Sequence, residues 1–295
     1  MRAHRPTSEL AQHLEQLYER FPFDRSFADD PISTIRPLAT DRRRGEVAGI
    51  VGATLAIGNT TAIRGAIARV AALGGGDVAW FLRPGNRTER ARRLRGFRHR
   101  WIRGDQLDHL FRVLADFYAH HATLEEPFLA GLSAGGFSVG LDRLSSALRG
   151  DGRSAEVGDA PAGYRALFPS PLDPSGSPCK RLTLFVRWMV RERYPDLGYW
   201  TGVPTGELKV PLDHHVYWIA YHLGLTARRT RSWDAVEEVS EALRRIDPLD
   251  PVKYDFVLCH TGISGDCPKE RDLAVCGPCS VRPDCRLWRG RRVAA

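Results

Sequence analysis

The chain has no run of residues both apolar enough and long enough to span a bilayer. Its charge-free stretch from Val47 to Ile63 contains Thr54, Asn59, Thr60 and Thr61, and it falls short of the ~20 apolar residues a spanning helix needs. A secretory leader is not expected either, because Met1 to Leu10 already carries Arg2, Arg5 and Glu9 and has no apolar segment. The expectation is a cytoplasmic protein without a membrane partner. No segment alternates apolar and polar residues long enough to demand a strand, and no Asn-Gly or Asp-Gly pair joins two strand-like runs. No internal repeat of roughly 20 to 50 residues recurs, which excludes solenoids and propellers. Hydrophobic residues at 43% and charged residues at 26% exclude a largely disordered or fibrous chain.

Acidic residues are the minority charge. Asp and Glu number 35 against 43 Lys and Arg, a net +8 at pH 7, which suits a polyanionic partner such as nucleic acid. The excess concentrates in one segment, where Arg83, Arg87, Arg90, Arg92, Arg93, Arg95, Arg98, Arg100 and Arg103 interleave with Phe97, His99 and Trp101. Such a mixture offers phosphate contacts beside stacking surfaces. A solvated basic helix and loop would carry the same residues.

What remains reads as helix, so the fold class is all-α. Leu14, Leu17 and Tyr18 follow Leu10 at helical spacing, and Val47 to Ile67 has the continuous apolarity of a buried helix. Thr123 and Glu126 form a capping box. Leu184, Phe185, Trp188 and Met189 mark a helix from Lys180, and Val216, Ile219, Ala220 and Leu223 mark another just after Asp213. Ser232 is an N-cap for a third, which Asp247-Pro248 ends. Gly- and Ser-rich Ala130 to Gly140, polar Gly150 to Gly158, Pro169 to Pro178 and Pro204 to Pro211 are read as irregular. At 295 residues, two helical lobes over 1–255 are expected, then a Cys-rich loop over 256–288 and a basic tail over 289–295.

Five of the six cysteines lie after Cys179. Cys267, Cys276, Cys279 and Cys285 are spaced C-x8-C-x2-C-x5-C, with Cys259 just upstream. Four thiols so close together, in a chain without a signal peptide, point to metal rather than disulfides. The spacing admits a structural zinc ion or an iron-sulfur cluster.

The run Cys276-Gly277-Pro278-Cys279-Ser280-Val281-Arg282-Pro283-Asp284-Cys285 resembles the end of the 4Fe-4S loop of endonuclease III and the adenine glycosylases. That resemblance implies a 4Fe-4S cluster on Cys267, Cys276, Cys279 and Cys285. The first gap is eight residues where those proteins have six, so either the loop is longer here or Cys259 replaces Cys267, and Cys267 is favoured. Cys259, ending the apolar run Phe256-Val257-Leu258, reads as a core thiol. Val210-Pro211-Leu212-Asp213-His214-His215-Val216, followed by an apolar helix ending in Leu223-Gly224, is similar to the aspartate helix of the helix-hairpin-helix DNA glycosylases. Asp213 aligns with their essential aspartate, and Lys180 in Ser177-Pro178-Cys179-Lys180-Arg181-Leu182 stands where bifunctional members place their lysine. The hairpin L-P-G-x-G is reduced to Gly176, and the separation of 33 residues (213 − 180) is long. The archaeal 8-oxoguanine glycosylases share such a spacing. Nearly the whole chain, from Asp30-Pro31-Ile32-Ser33 through Phe97-Arg98-His99-Arg100 to Lys253-Tyr254-Asp255-Phe256, also resembles the family of domain of unknown function 2400.

The resemblance implies a base-excision glycosylase with AP-lyase activity, acting on double-stranded DNA that carries a damaged base, with an oxidised purine as the foremost candidate. It would work as a monomer associated with the nucleoid. Excision builds positive charge at the sugar C1′, which a carboxylate at Asp213 stabilises, and a neutral Lys180 amine can add there. Phe97, Arg98, His99, Arg100, Trp101, His214 and His215 are the expected DNA or base contacts, with Trp188 and Trp218 as further aromatic candidates. Lys269, Arg271, Arg282 and Arg286 are expected to form a DNA-facing surface on the loop. Cys179, without a designated base, reads as packing. The rival expectation is a non-catalytic nucleic-acid-binding protein whose four cysteines hold zinc or a cluster for structure alone.

Overall fold

The computed structural model describes residues 7–289. Arg2, Arg5 and the expected basic tail beyond Arg289 lie outside the described residues. The fold is predominantly helical, as expected. Among the described residues the only strands are Arg98–His99 and Ile102–Arg103, an antiparallel pair in register Arg98 with Arg103 and His99 with Ile102.

Contacts divide the chain into two compact units. One contains residues 24–174 and 181–204, the other residues 7–23, 175–180 and 205–289.

In the first unit, the apolar stretch expected as one helix is two, Arg42–Leu55 and Thr60–Leu73. The break is local. Gly58 adopts φ +106°, and the Asn59 side chain accepts from the Ala62 N–H at 2.8 Å to cap the second helix. Ala130 to Gly140 is likewise helical rather than irregular, in Glu125–Gly135 and Phe137–Arg149. Its glycines serve packing, because a Cβ on Gly131 would fall 2.5 Å from the Val139 carbonyl oxygen and one on Gly140 2.9 Å from that of Phe128. Half of the expected capping box forms: Glu126 accepts from the Thr123 N–H at 3.3 Å, while the Thr123 hydroxyl donates to Glu46.

Glu46 organises this unit. It is wholly buried on the helix Arg42–Leu55 and also accepts from the Tyr118 hydroxyl at 2.7 Å, the Leu124 N–H at 3.1 Å and the Trp200 indole at 2.7 Å. Burial pushes its carboxyl above the usual range, and the donors oppose that rise. A buried acid saturated with donors ties separate elements together, as a half-satisfied one could not.

In the second unit, the helices His214–Leu223, Trp233–Arg244 and Asp255–Ile263 bury Val216, Ala220, Val236, Val239, Leu243, Val257 and Leu258. Asp213 and Ser232 cap the first two through their side chains. The helix Ser8–Glu19 reaches the C-terminal loop, where His13 Nδ1 lies 2.6 Å from the buried Asp284 carboxylate.

Candidate active site and four-thiol loop

Lys180 begins the helix Lys180–Val190. The residue before it, Cys179, is buried and holds φ +48°, a left-handed backbone that is costly for a residue with a Cβ. Its thiol points back to the Ser177 carbonyl at 3.4 Å, a packing role as expected of this cysteine. The turn is also tied at Gly176, φ +61°, whose carbonyl accepts the Trp233 N–H at 3.0 Å. Two constraints thus fix the start of the lysine helix.

Asp213 has extended backbone and caps the helix His214–Leu223: Oδ1 accepts from the Val216 N–H at 2.8 Å. Its other oxygen accepts from the Cys259 thiol at 3.3 Å. Lys269 donates to His214 Nε2, and burial first, then Lys269, Arg231 and His215, depress the pKa of that imidazole. His215 packs on Gly262, where a Cβ would lie 2.5 Å from its own Cβ. His214 therefore faces the loop after the helix Asp255–Ile263, and His215 packs on the last turn of that helix.

That loop carries the four thiols. Asp272 caps the short helix Leu273–Cys276, accepting from the Ala274 N–H at 2.9 Å, and a 3-10 turn at Arg282–Asp284 follows. Cys267, Cys276, Cys279 and Cys285 all line one cavity, whose walls include Ile219, Leu223 and Val281. Cys259 is not among its lining residues. Burial pushes the Cys267 thiol up to about 12, with Cys279, Cys285 and Cys276 adding to the shift. As thiolates the four would repel one another, so they suit a positively charged guest. The four cysteines that share this cavity are the residues that would hold a zinc ion or an iron-sulfur cluster.

Arg286, expected on a DNA-facing surface, is bonded into the scaffold. Its guanidinium donates to the Tyr221 carbonyl at 2.8 Å and the Thr226 carbonyl at 3.2 Å, and its backbone N–H donates to the His222 carbonyl at 2.7 Å. It clamps the loop to the end of the aspartate helix. Lys269 and Arg271 are exposed, and Arg271 and Arg282 lie over the Trp288 ring at 5.4 and 4.5 Å.

The basic segment around Phe97 belongs to the other unit. Much of it is spent internally. Buried Arg90 donates to Asp108 at 2.7 Å and to the Phe81 carbonyl at 2.9 Å. Arg92 and Arg93 both pair with Glu89, whose carboxyl they hold at about 2. Phe97 and His99 are buried, with His99 Nε2 3.0 Å from the Ile57 carbonyl. Arg98, Arg100 and Trp101 stay exposed at the hairpin, where Arg100 takes φ +57° and the Arg181 guanidinium lies 5.6 Å from the Trp101 ring centre. Trp188 is core, and Trp218 is half-buried among His214, Tyr221 and His222.

Sequence reasoning missed His222 and Trp288, which line the thiol cavity. The signal for His222 was its helical spacing from Trp218 and Ile219, i+4 and i+3, on one face of the aspartate helix.

These features define a predominantly helical protein whose four-thiol loop is clamped to a helix that an aspartate begins. The chain belongs to the family described as protein of unknown function DUF2400, whose model matches residues 30–264. The matched span includes Lys180 and Asp213 and ends before Cys267. Neither the curated proteins nor the solved structures gave a match.

Proposed function

We propose that the protein is a base-excision DNA glycosylase with AP-lyase activity, of the helix-hairpin-helix type, with a 4Fe-4S cluster on Cys267, Cys276, Cys279 and Cys285. One observation carries this reading. Residues 175–180, an isolated segment ending at Lys180, belong to the same compact unit as Asp213 and the four-thiol loop, while the rest of the lysine helix counts with the other unit. An amine at a constrained helix start and a carboxylate at another helix start are the two groups the chemistry requires, and a thiol loop accompanies them.

The chemistry assigns each side chain a step. As the N-glycosidic bond breaks, its electron pair leaves with the base and positive charge grows at C1′, where the Asp213 carboxylate stabilises it. The Lys180 amine donates its lone pair to C1′, forming a C–N bond and losing a proton. Ring opening gives an iminium, and removal of a C2′ proton expels the 3′ phosphate by β-elimination. Asp213 is already oriented by Val216 and Cys259. Arg98, Arg100, Trp101, Lys269, Arg271 and Arg282 are the proposed duplex contacts, and an oxidised purine is the proposed lesion. The cluster is proposed as structural, shaping the loop.

Borohydride reduction in the presence of duplexes bearing single lesions or an abasic site tests the reading. A covalent protein–DNA product that Lys180→Gln abolishes supports it. Duplex binding without trapping or base release, across a panel of lesions, favours the non-catalytic binding protein instead.

A further inference from the structure

Two buried ring nitrogens at the thiol cavity have no hydrogen-bond partner among the described residues. His222 is 8% exposed, and its Nε2 has no hydrogen-bond partner among the described residues; the same holds for Trp288 Nε1. Both side chains line the cavity that Cys267, Cys276, Cys279 and Cys285 share. A buried polar nitrogen left unpaired is costly, and two of them at one cavity point to an acceptor inside it. Of the lining side chains only Asp266 carries an acceptor oxygen, and its carboxylate already accepts from the Ser264 hydroxyl at 2.6 Å, while Ile219, Leu223, Val281 and Leu287 are apolar.

Neither side chain is placed by accident of a loose loop. The His222 ring stacks on Trp218 at 5.9 Å between centroids, and its backbone carbonyl accepts from the Arg286 N–H at 2.7 Å. The Trp288 ring is covered by Arg282 at 4.5 Å, and its backbone N–H donates to the Cys285 carbonyl at 2.8 Å. One donor thus comes from the aspartate helix and one from the end of the loop.

We infer that His222 and Trp288 donate their ring N–H groups to the sulfur atoms of the bound iron-sulfur group and hold its reduction potential up. This rests on the proposed reading of the loop as a cluster site. Sulfur carries more negative charge in the reduced cluster than in the oxidised one, so each N–H···S bond strengthens on reduction and favours the reduced form. His222 and Trp288 are positioning and tuning residues; they are not ligands.

The experiment uses the full chain, purified anaerobically, as wild type, Trp288→Phe, His222→Phe and the double variant. Trp288→Phe keeps an aromatic body under Arg282 and removes the N–H alone. His222→Phe keeps a ring against Trp218. Iron and sulfide are measured first, then the midpoint potential by redox titration and the shift of the Fe–S stretching bands on exchange into heavy water. The expected result is wild-type iron and sulfide in Trp288→Phe, a more negative potential in each single variant, a further fall in the double variant, and loss of part of the heavy-water shift each time. His222→Gln, which restores an N–H, should recover much of the potential. If His222→Phe fails to hold iron, Trp288→Phe still decides. Fully loaded variants with wild-type potentials and wild-type band shifts overturn the hydrogen bonds and leave the cluster standing. Wild-type protein without iron and sulfide overturns the cluster reading and this inference together.

Discussion

The Cys259 thiol lies 3.3 Å from Asp213 Oδ2, while Oδ1 of the same carboxylate caps the helix His214–Leu223. Both oxygens are thus fixed by groups on either side, one local in sequence and one 46 residues away. Asp213→Asn keeps a good N-cap residue, so the melting temperature should change little. Base release in single turnover should fall by ~10²-fold or more, because the lost charge acts mainly in the transition state. Normal excision by that variant would remove Asp213 from the mechanism.

Cys259→Ala separates positioning from metal binding. It should leave iron content at the wild-type value, since Cys259 does not line the thiol cavity. Excision should slow roughly five-fold, the rate equivalent of one ~1 kcal/mol hydrogen bond. Loss of iron in this variant would make Cys259 a ligand.

Lys180 can be tested cleanly because the chain has only four lysines. Lys209 is buried and paired with Glu237, Lys253 is paired with Glu15 at 2.8 Å, and Lys269 contacts His214. Lys180→Gln should abolish borohydride trapping while duplex affinity falls less than about three-fold, since one phosphate-range charge among many contributes modestly. Trapping that persists would transfer the role to another amine, and replacing the other three lysines one at a time would identify it.

What the sequence revealed and what it hid divide along local and long-range lines. Asp213 and Ser232 were legible as caps because a cap is written in four consecutive residues. The thiol spacing was legible for the same reason. Val47 to Ile67 was misjudged as one helix because its apolarity is continuous, although Asn59 inside it is a cap residue. Ala130 to Gly140 was misjudged because glycine there permits two helices to touch, which no local pattern separates from a turn. Phe97 and His99 alternate with Arg98 and Arg100 in a short hairpin, so one face is anchored and the other exposed. The contacts of Cys259 with Asp213, of His13 with Asp284 and of His222 with the cavity join distant segments, and composition carries no trace of them.

Metal analysis decides between the two guests of the loop. Anaerobically purified protein holding a 4Fe-4S cluster should be brown, with broad visible absorption and near-stoichiometric iron and sulfide, whereas zinc would leave it colourless. Cys276→Ser and Cys279→Ser should each lower metal content and weaken duplex binding, since the loop is clamped to the aspartate helix by Arg286. Colourless protein with one zinc per chain would refute the cluster while leaving Lys180 and Asp213 open to their own tests.

Acid stability offers a test of the other unit. His109 is 1% exposed on the helix Gly104–His120, edge-on to Tyr164 at 4.4 Å, and its buried Nδ1 has no hydrogen-bond partner among the described residues. Burial, with a smaller push from Arg112, lowers its pKa from 6.5 to about 4. Between those values the unfolded chain binds the proton and the folded chain does not, so stability rises with pH there. This contribution is complete above pH 6.5 and is lost as pH falls toward 4, at about 1.4 kcal/mol per pH unit. His109→Phe removes the titration and leaves the surface carboxylates unchanged. Denaturant unfolding at pH 7 and pH 5 should therefore show an acid loss about 2 kcal/mol smaller in the variant than in the wild type. Equal losses in the two proteins would mean that His109 is protonated in the folded state.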